Sequence, residues 1–521
     1  MELSDMSMSN TNFDPDLRSI QQARELVTAA RAALRTFQFA SQQQVDRICE
    51  AMVAAAMREA GRLGQLAHDE TGFGYPAHKK LKNEFASQGV WESIKDVPTC
   101  GVLRRDEARG ITEIGWPVGV LCALTPSTNP TSTAIFKILI AIKARNAIVI
   151  APHPSARKST AEAVRVMDEA GQAAGLPAGM ISCMTELSVA GTNELMSHPA
   201  TSMILATGGP GMVKAAHSCG KPALGVGPGN VPAWVDRSAH IVRAAQMIVE
   251  SKSFDCSTIC ATEQVVIADR PIAERLKTEM QARGAQWLTP DEADRLAAMM
   301  FRPNGLMVAD YVGRTPQELG RAAGIPVPDS TRILVADLAG VGPAHPLSRE
   351  KLTTVLGFMV EDGWRAGCER AMQLLTFGGD GHSVVIHARD EDAILAFGIE
   401  KPAFRILVNT WGSLGGVGYT TGLRPSLTLA PGGIGGAAVS DNITVEHVLN
   451  IKRIAYHRTP PPQVARAHGG RVDDSVGDLA EQVAETVGAK LAGSNADAAL
   501  IEQAVRQILA ELGQPGSERG R

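Results

Sequence analysis

The segment 251–264, SKSFDCSTICATEQ, places Cys256 and Cys260 four residues apart among small and hydroxyl-bearing side chains. A cysteine in such a setting attacks carbonyl carbon if a positive charge or helix dipole favours its thiolate; otherwise it is small apolar filling. Spacing does not separate the two thiols. No Ser/His/Asp arrangement stands out, and the nearest histidine in sequence, His240, lies far upstream. Zinc is not expected, because a lone CxxxC without nearby histidines lacks two of four ligands. A second chemical signature is MILATGGPGMVKAA, where Thr207, Gly208, Gly209 and Gly211 lead an apolar run into a helical one. Backbone N–H groups and a helix N-terminus meet phosphate in such turns, but the pattern departs from GxGxxG and does not by itself specify a dinucleotide.

A chain of 521 residues has room for about two to four domains and a large buried site. With 44% apolar, 20% charged and 4% aromatic residues it reads as an ordinary globular protein rather than a disordered one. A formal charge of -4 creates no field that would gather nucleic acid or an anionic membrane, so neither is an expected partner. The start, MELSDMSMSN, lacks the basic and apolar parts of a secretory signal, and no run is apolar enough for a membrane helix. A cytoplasmic protein with reduced thiols is expected, since the eight cysteines show no CxxC and no disulfide-like spacing.

The elements that must position these residues read as an α/β protein. Apolar residues recur every three or four positions over 16–71, predicting two or three amphipathic helices. A hairpin-like pair of runs then leads to an apolar strand at 118–124, and NAIVIAPHP, GMISCMTE and TSMILATGG repeat strand, turn and helix, the pattern of a parallel sheet. From 251 the same order resumes through EQVVIADR, TRILVADL, TVLGFMVE and HSVVIHAR, predicting a second α/β domain. The Gly-rich run 405–438 reads as loops and strands at a sheet edge, and NITVEHVLNIKRIAYH closes the compact part. Beyond His457 a Pro/Gly/Arg linker precedes two amphipathic patterns, the last carrying Ile501, Val505, Ile508 and Leu512 on one stripe.

Taken together, SKSFDCSTICATEQ, LTPSTNPTSTAIFKILIAIKARNAIVIAPHP, ATGGPGMVKAA, GVGPGNVP and NIKRIAY resemble the CoA-acylating aldehyde dehydrogenases of the aldehyde dehydrogenase superfamily, in order over roughly 16–456. The resemblance implies that fold: a Rossmann-like cofactor domain at 1–249, an α/β catalytic domain at 250–436, and an oligomerisation sheet from 100–117 and 437–456. A linker at 457–474 and a helical extension at 475–521 follow. It implies Cys260 as nucleophile, Cys256 as structural or auxiliary, and Asn129 as the amide that, with the Cys260 N–H, faces the developing oxyanion. Cofactor contacts are implied for Thr125, Pro126, His153, Thr207, Gly208, Gly209, Gly225 and Glu350. Trp411 and Tyr419 fall where relatives line the substrate channel.

Departures from the hydrolytic members carry information. Gly225 stands where those carry the glutamate that activates water, which suits a thioester handed to coenzyme A, whose thiolate needs less help than water. His153 replaces the lysine of a ribose-binding motif and leaves NAD versus NADP open. The expected reaction is oxidation of a short-chain aldehyde, propionaldehyde or acetaldehyde, to acyl-CoA with NAD by a homodimer or homotetramer. A hydrolytic or phosphorylating enzyme, or a microcompartment cargo or scaffold protein, is the alternative. The tail resembles encapsulation peptides, implying a place inside a bacterial microcompartment through contact of the C-terminal helix with shell or co-cargo.

Overall fold

The computed structural model describes residues 14–459; the amphipathic tail at 475–521 and nearly all of the linker at 457–474 lie outside the described residues. The N-terminal pattern resolves into two helices, Pro15–Phe37 and Gln42–Thr71. Ser41 and Gln44 form a reciprocal capping box at the start of the second, and Gly72 ends it in the left-handed region at φ 67°.

The first α/β layer is a five-stranded parallel sheet. In chain order its strands are β3 (Val120–Thr125), β4 (Ala147–Pro152), β5 (Ile181–Cys183), β6 (Thr201–Thr207) and β7 (Ala223–Val226); their spatial order is β5-β4-β3-β6-β7. Every residue of β3 and β4 is buried, as expected of a sheet covered on both faces. The order reverses between β3 and β6. At such a switch point the connections leave in opposite directions and open a crevice at the carboxyl ends of the strands. The helix Pro130–Lys143 is buried along its whole length. Its Lys137 donates to the carbonyls of Leu124 and Leu205 at 2.7 and 2.8 Å, clamping β3 to β6 beneath that crevice.

The second layer is a seven-stranded parallel sheet of β8 (Val231–Val235), β9 (Glu263–Asp269), β10 (Ala285–Trp287), β11 (Ile333–Asp337), β12 (Val355–Glu361), β13 (Val384–His387) and β14 (Ile406–Val408). Its order is β10-β11-β12-β9-β8-β13-β14. The chain changes sheet ahead of the expected division at 249/250: β8 pairs with β9 and β13, so the change falls between Val226 and Val231. The sequence hid this because GVGPGNVPAWV is one apolar run interrupted by glycine and proline, and which sheet a strand joins is a long-range choice. The Gly-rich run 405–438 holds one three-residue strand, β14, and a short helix, Gly412–Gly416.

A separate antiparallel sheet pairs β1 (Gly101–Asp106) with β2 (Ile111–Pro117), and β2 with β15 (Leu449–Ala455). Of the 437–456 segment expected to complete it, only the last part is strand. Among the described residues no helix is long and apolar enough to cross a membrane.

Candidate active site

The carboxyl ends of the first sheet face the amino ends of the second. Thr125 ends β3, Thr207 ends β6, and His153 follows β4. From the other side, Gly229, Cys260 and His382 lie just before β8, β9 and β13, which are neighbours in the order β9-β8-β13. Between the two edges lies a cavity of about 290 Å³ lined by Thr125, Pro126, Asn129, His153, Thr207, Gly208, Gly209, Cys260 and Glu350, among others. Thr125 and Glu350, 225 positions apart in sequence, therefore line one cavity. Gly225 is the exception. It sits inside β7 with its Cα toward the helix Pro210–Ser218, where a Cβ would fall 2.9 Å from Val213 and closer still to His217. Val226, Gly227 and Pro228, the residues that follow it, line the cavity. Trp411 and Tyr419 are not among the cavity-lining residues. Trp411 packs at the rim of the apolar cluster of Phe254, Ile259 and Leu414, and Tyr419 tilts against Phe85.

Cys260 Sγ lies 3.2 Å from His382 Nε2. Burial pushes the Cys260 thiol up to about 12, the Glu350 carboxylate adds to the shift, and Arg405 with the backbone N–H groups of Cys260 and Ala261 opposes it. Burial, and then the Arg405 cation, hold His382 well below the usual imidazole range, so the ring is neutral. Glu350 accepts from the Gly229 N–H at 2.8 Å, and burial raises its carboxyl to about 7. Because that carboxylate disfavours the thiolate, Glu350→Gln should move the pH midpoint of Cys260 alkylation downward. An unchanged or higher midpoint, read from iodoacetamide rates across pH, would contradict the assignment of Glu350 as a charge facing the sulfur.

Sequence reasoning missed His382. Its only local signal is a histidine directly before the apolar run SVVIH, and 122 residues separate it from Cys260. Pairing of β9 and β13 on either side of β8 brings the two together.

Asn129 is held in a definite orientation. Lys82, which can only donate, bonds its Oδ1 at 2.5 Å, turning Nδ2 toward the Thr258 carbonyl at 2.8 Å and Thr128 Oγ1 at 3.2 Å. Both amide protons are engaged, so an oxyanion here takes one over from Thr128, the longer contact. Lys82 and Lys79 also pair with Asp255, whose side chain is fully buried. Asp255, Cys256 and Ser257 run through the left-handed region at φ 46°, 50° and 62°, a conformation that non-glycine residues adopt at a cost of about 1 kcal/mol or more each. The cost is offset by the Asp255 bonds, which accept from Tyr75 N at 2.7 Å and Thr258 Oγ1 at 2.7 Å.

Cys256 is fully buried, is not among the cavity-lining residues, and its thiol is pushed up to about 12 by burial and then by Asp255. A thiol so placed is inert. Cys256→Ser should keep turnover within about threefold of the parent in a steady-state assay; loss of turnover would return it to the list of nucleophiles.

At the opposite end, the helix Pro210–Ser218 begins at Gly209 with no side-chain cap. The other helix that starts beside His153, Arg157–Ala173, is already filled: Glu70 accepts from Lys158 N and Ser159 N at 2.7 Å each. Of these two termini, the one at Gly209 offers a phosphate the N–H groups of Gly208, Gly209 and Gly211, since Pro210 has none and Met212 N donates to the Gly209 carbonyl at 3.1 Å. Thr125 Oγ1 is buried against the same cavity without a partner among the described residues, a group that a bound molecule would satisfy. The residues present fit a nicotinamide dinucleotide. His153 caps Ser155 N at 3.3 Å and contacts Ser155 Oγ at 2.8 Å; burial lowers its pKa, so it offers a neutral ring. Among the described residues no cluster of His, Cys, Asp or Glu is placed to hold a metal ion.

Residues 15–318 match the family model described as the aldehyde dehydrogenase family. Aldehyde-alcohol dehydrogenase 2 of Entamoeba histolytica is 40% identical over 466 residues, 86% of this chain and 53% of the relative; the chain spans about half the length of the curated relatives of this kind. An acetylating aldehyde dehydrogenase from Geobacillus thermoglucosidasius is 50% identical in its crystal structure, with a TM-score of 0.85 covering 87% of this chain and 100% of that one. Rhodopseudomonas palustris propionaldehyde dehydrogenase, solved with bound propionyl-CoA, is 26% identical at a TM-score of 0.75 and covers 83% and 94%.

Proposed function

The chain belongs to the aldehyde dehydrogenase family, in its CoA-acylating branch, and from that premise we propose that it converts a short-chain aldehyde, propionaldehyde or acetaldehyde, to acyl-CoA with NAD. The observation that carries this reading is the one thiol of the cavity lining, Cys260, held against a neutral imidazole in a cavity whose far end is an uncapped Gly-rich turn.

In this reading the Cys260 thiolate adds to the aldehyde carbon, and the oxygen of the thiohemiacetal takes hydrogen bonds from Asn129 Nδ2 and the Cys260 N–H. Thr125, Thr207 and the Gly208–Gly209 turn would hold a nicotinamide dinucleotide, which would supply the hydride acceptor. The acyl group then rests on Cys260 as a thioester until a thiol takes it. Lys82 keeps Asn129 turned toward the site throughout.

The hydrolytic alternative keeps one supporting observation. No carboxylate occupies position 225, but Glu350 lines the same cavity with a pKa raised to about 7, where it could draw a proton from water. Coenzyme A dependence separates the two. NADH formation from propionaldehyde should require coenzyme A, falling about a hundredfold or more without it, since thiolate attack on a thioester far outruns unassisted water. Turnover without coenzyme A would overturn the acylating reading and assign Glu350 to water activation; phosphate dependence would favour a phosphorylating enzyme.

Assembly as a homodimer or homotetramer is proposed through the three-stranded sheet, whose last strand exposes Ile451 and Ile454. The proposal of a microcompartment address rests on the sequence pattern of 475–521 alone.

A further inference from the structure

The Cys260–His382 contact extends one step deeper. His382 Nδ1 lies 3.0 Å from Ser383 Oγ, and the same hydroxyl oxygen accepts from Arg405 Nε at 3.2 Å. Arg405 is 2% exposed and has no carboxylate at ion-pair distance among the described residues; its other donors go to the Leu429, Ala430 and Ser440 carbonyls and to Asn442 Oδ1. A guanidinium donates and never accepts. Ser383 Oγ therefore accepts from the Arg405 Nε–H, and the acceptor that the described residues offer its own O–H is His382 Nδ1. A ring nitrogen that accepts carries no proton. The neutral imidazole then bears its single proton on Nε2, the atom facing Cys260 Sγ. Gly229 lies beside the ring, where a Cβ would stand 3.0 Å from Nδ1, so the absence of a side chain there leaves the imidazole its place.

We propose that Ser383 and Arg405 are positioning residues that fix His382 as the Nε2–H tautomer, so that it donates a hydrogen bond to the Cys260 sulfur and steadies the thiolate instead of removing the thiol proton. This rests on Cys260 being the nucleophile of the reading above and concerns how that sulfur is activated. The thiol S–H bond breaks with its proton passing to the solvent of the cavity, where Glu350 is the one acidic residue of the lining. When the acyl group later leaves Cys260, the carbon–sulfur bond breaks and its electron pair returns to Sγ, again opposite Nε2–H. Both ends of the cycle need a stabilised thiolate, and one fixed donor serves both. A protonated ring would instead set a second N–H against Ser383, with the Arg405 cation behind it. The charged and titratable groups that act on the pair are Arg405 and Glu350.

The test uses the full chain and reads the pH midpoint of Cys260 alkylation by iodoacetamide, followed by mass spectrometry of the Cys260 peptide, which does not depend on turnover. His382→Gln keeps an amide N–H near the Nε2 position and cannot take up a proton. Its midpoint should stay within about half a unit of the parent, whereas His382→Ala should raise it by about one unit or more. Turnover in the glutamine variant should exceed that of the alanine variant by about tenfold or more. Ser383→Ala should raise the midpoint and Ser383→Thr should restore it. Equal losses in the glutamine and alanine variants would make His382 a general base and overturn the proposal, as would a Ser383→Ala midpoint equal to that of the parent. If the histidine variants do not fold, the Ser383 pair decides alone. A chain that shows these shifts but no coenzyme A dependence would leave this inference standing and remove the acylating reading.

Discussion

Cys260→Ala should lower aldehyde oxidation by at least about 10⁴-fold while leaving the fold intact. The sulfur is the one thiol of the cavity lining, and the other thiol of the segment is buried outside it. Little structural depends on it: the Cys260 side chain is partly buried at the edge of the cluster of Phe254, Ile259 and Leu414, and its one side-chain hydrogen bond among the described residues is the 3.2 Å contact with His382. The melting temperature and the binding of dinucleotide, followed by fluorescence, should stay close to the parent. A variant retaining most of its activity would end the covalent mechanism for this chain; a variant that lost activity by unfolding would show it in the melting curve.

Asp255→Ala should be the most damaging change outside the reacting atoms. The carboxylate accepts from Tyr75 N and Thr258 Oγ1 and pairs with Lys79 at 3.2 Å and with Lys82. Removing it leaves two buried ammonium groups unpaired, a loss of about 3–5 kcal/mol. It also releases the left-handed turn at 255–257 that carries the chain to Cys260 and frees Lys82 from the position that orients Asn129. Urea unfolding and turnover should therefore fail together. The pH dependence has a definite sign. Burial by itself raises the Asp255 carboxyl, but Lys82, Lys79 and the bonds from Lys82 and Tyr75 together outweigh it, so it titrates below the usual range. Its stabilising contribution is present above the unfolded value near 4 and is lost as pH falls through the lower folded value. Lys82 moves to about 8 because burial outweighs the help from Asp255: one carboxylate does not compensate two buried cations. The double variant Asp255→Ala, Lys82→Met removes one stranded charge and should regain part of the stability without regaining activity, since Asn129 then lacks its anchor. Full stability in Asp255→Ala alone would contradict the cluster as described.

The cavity explains why two chemically similar cysteines have different fates. Cys256 lies within the left-handed turn and points into protein; four residues later the chain emerges at the edge of β9, where Cys260 faces the crevice. The turn is therefore a device for delivering one thiol and hiding another.

Local sequence determined much of this protein. Period-3.6 helices at the start, continuous apolar strands over 120–125 and 147–152, and the turn at 207–211 are all dictated by nearest neighbours in the chain, since burial on one face or both leaves its mark on the residues themselves. The motif set likewise brought Cys260, Asn129, Thr207, Gly208, Gly209 and Glu350 forward, and the fold places all of them in one lining. What the sequence did not contain was adjacency between distant strands. That β8 leaves the first sheet for the second, that β13 lies beside it so that His382 meets Cys260, and that Gly225 faces a helix while Glu350 faces the thiol were settled by tertiary pairing. The same holds for Lys79, Lys82 and Arg405, whose buried charges look in sequence like any surface lysine or arginine. Their environment is made of backbone carbonyls and carboxylates contributed by residues up to 176 positions away, and no local pattern records who those partners will be.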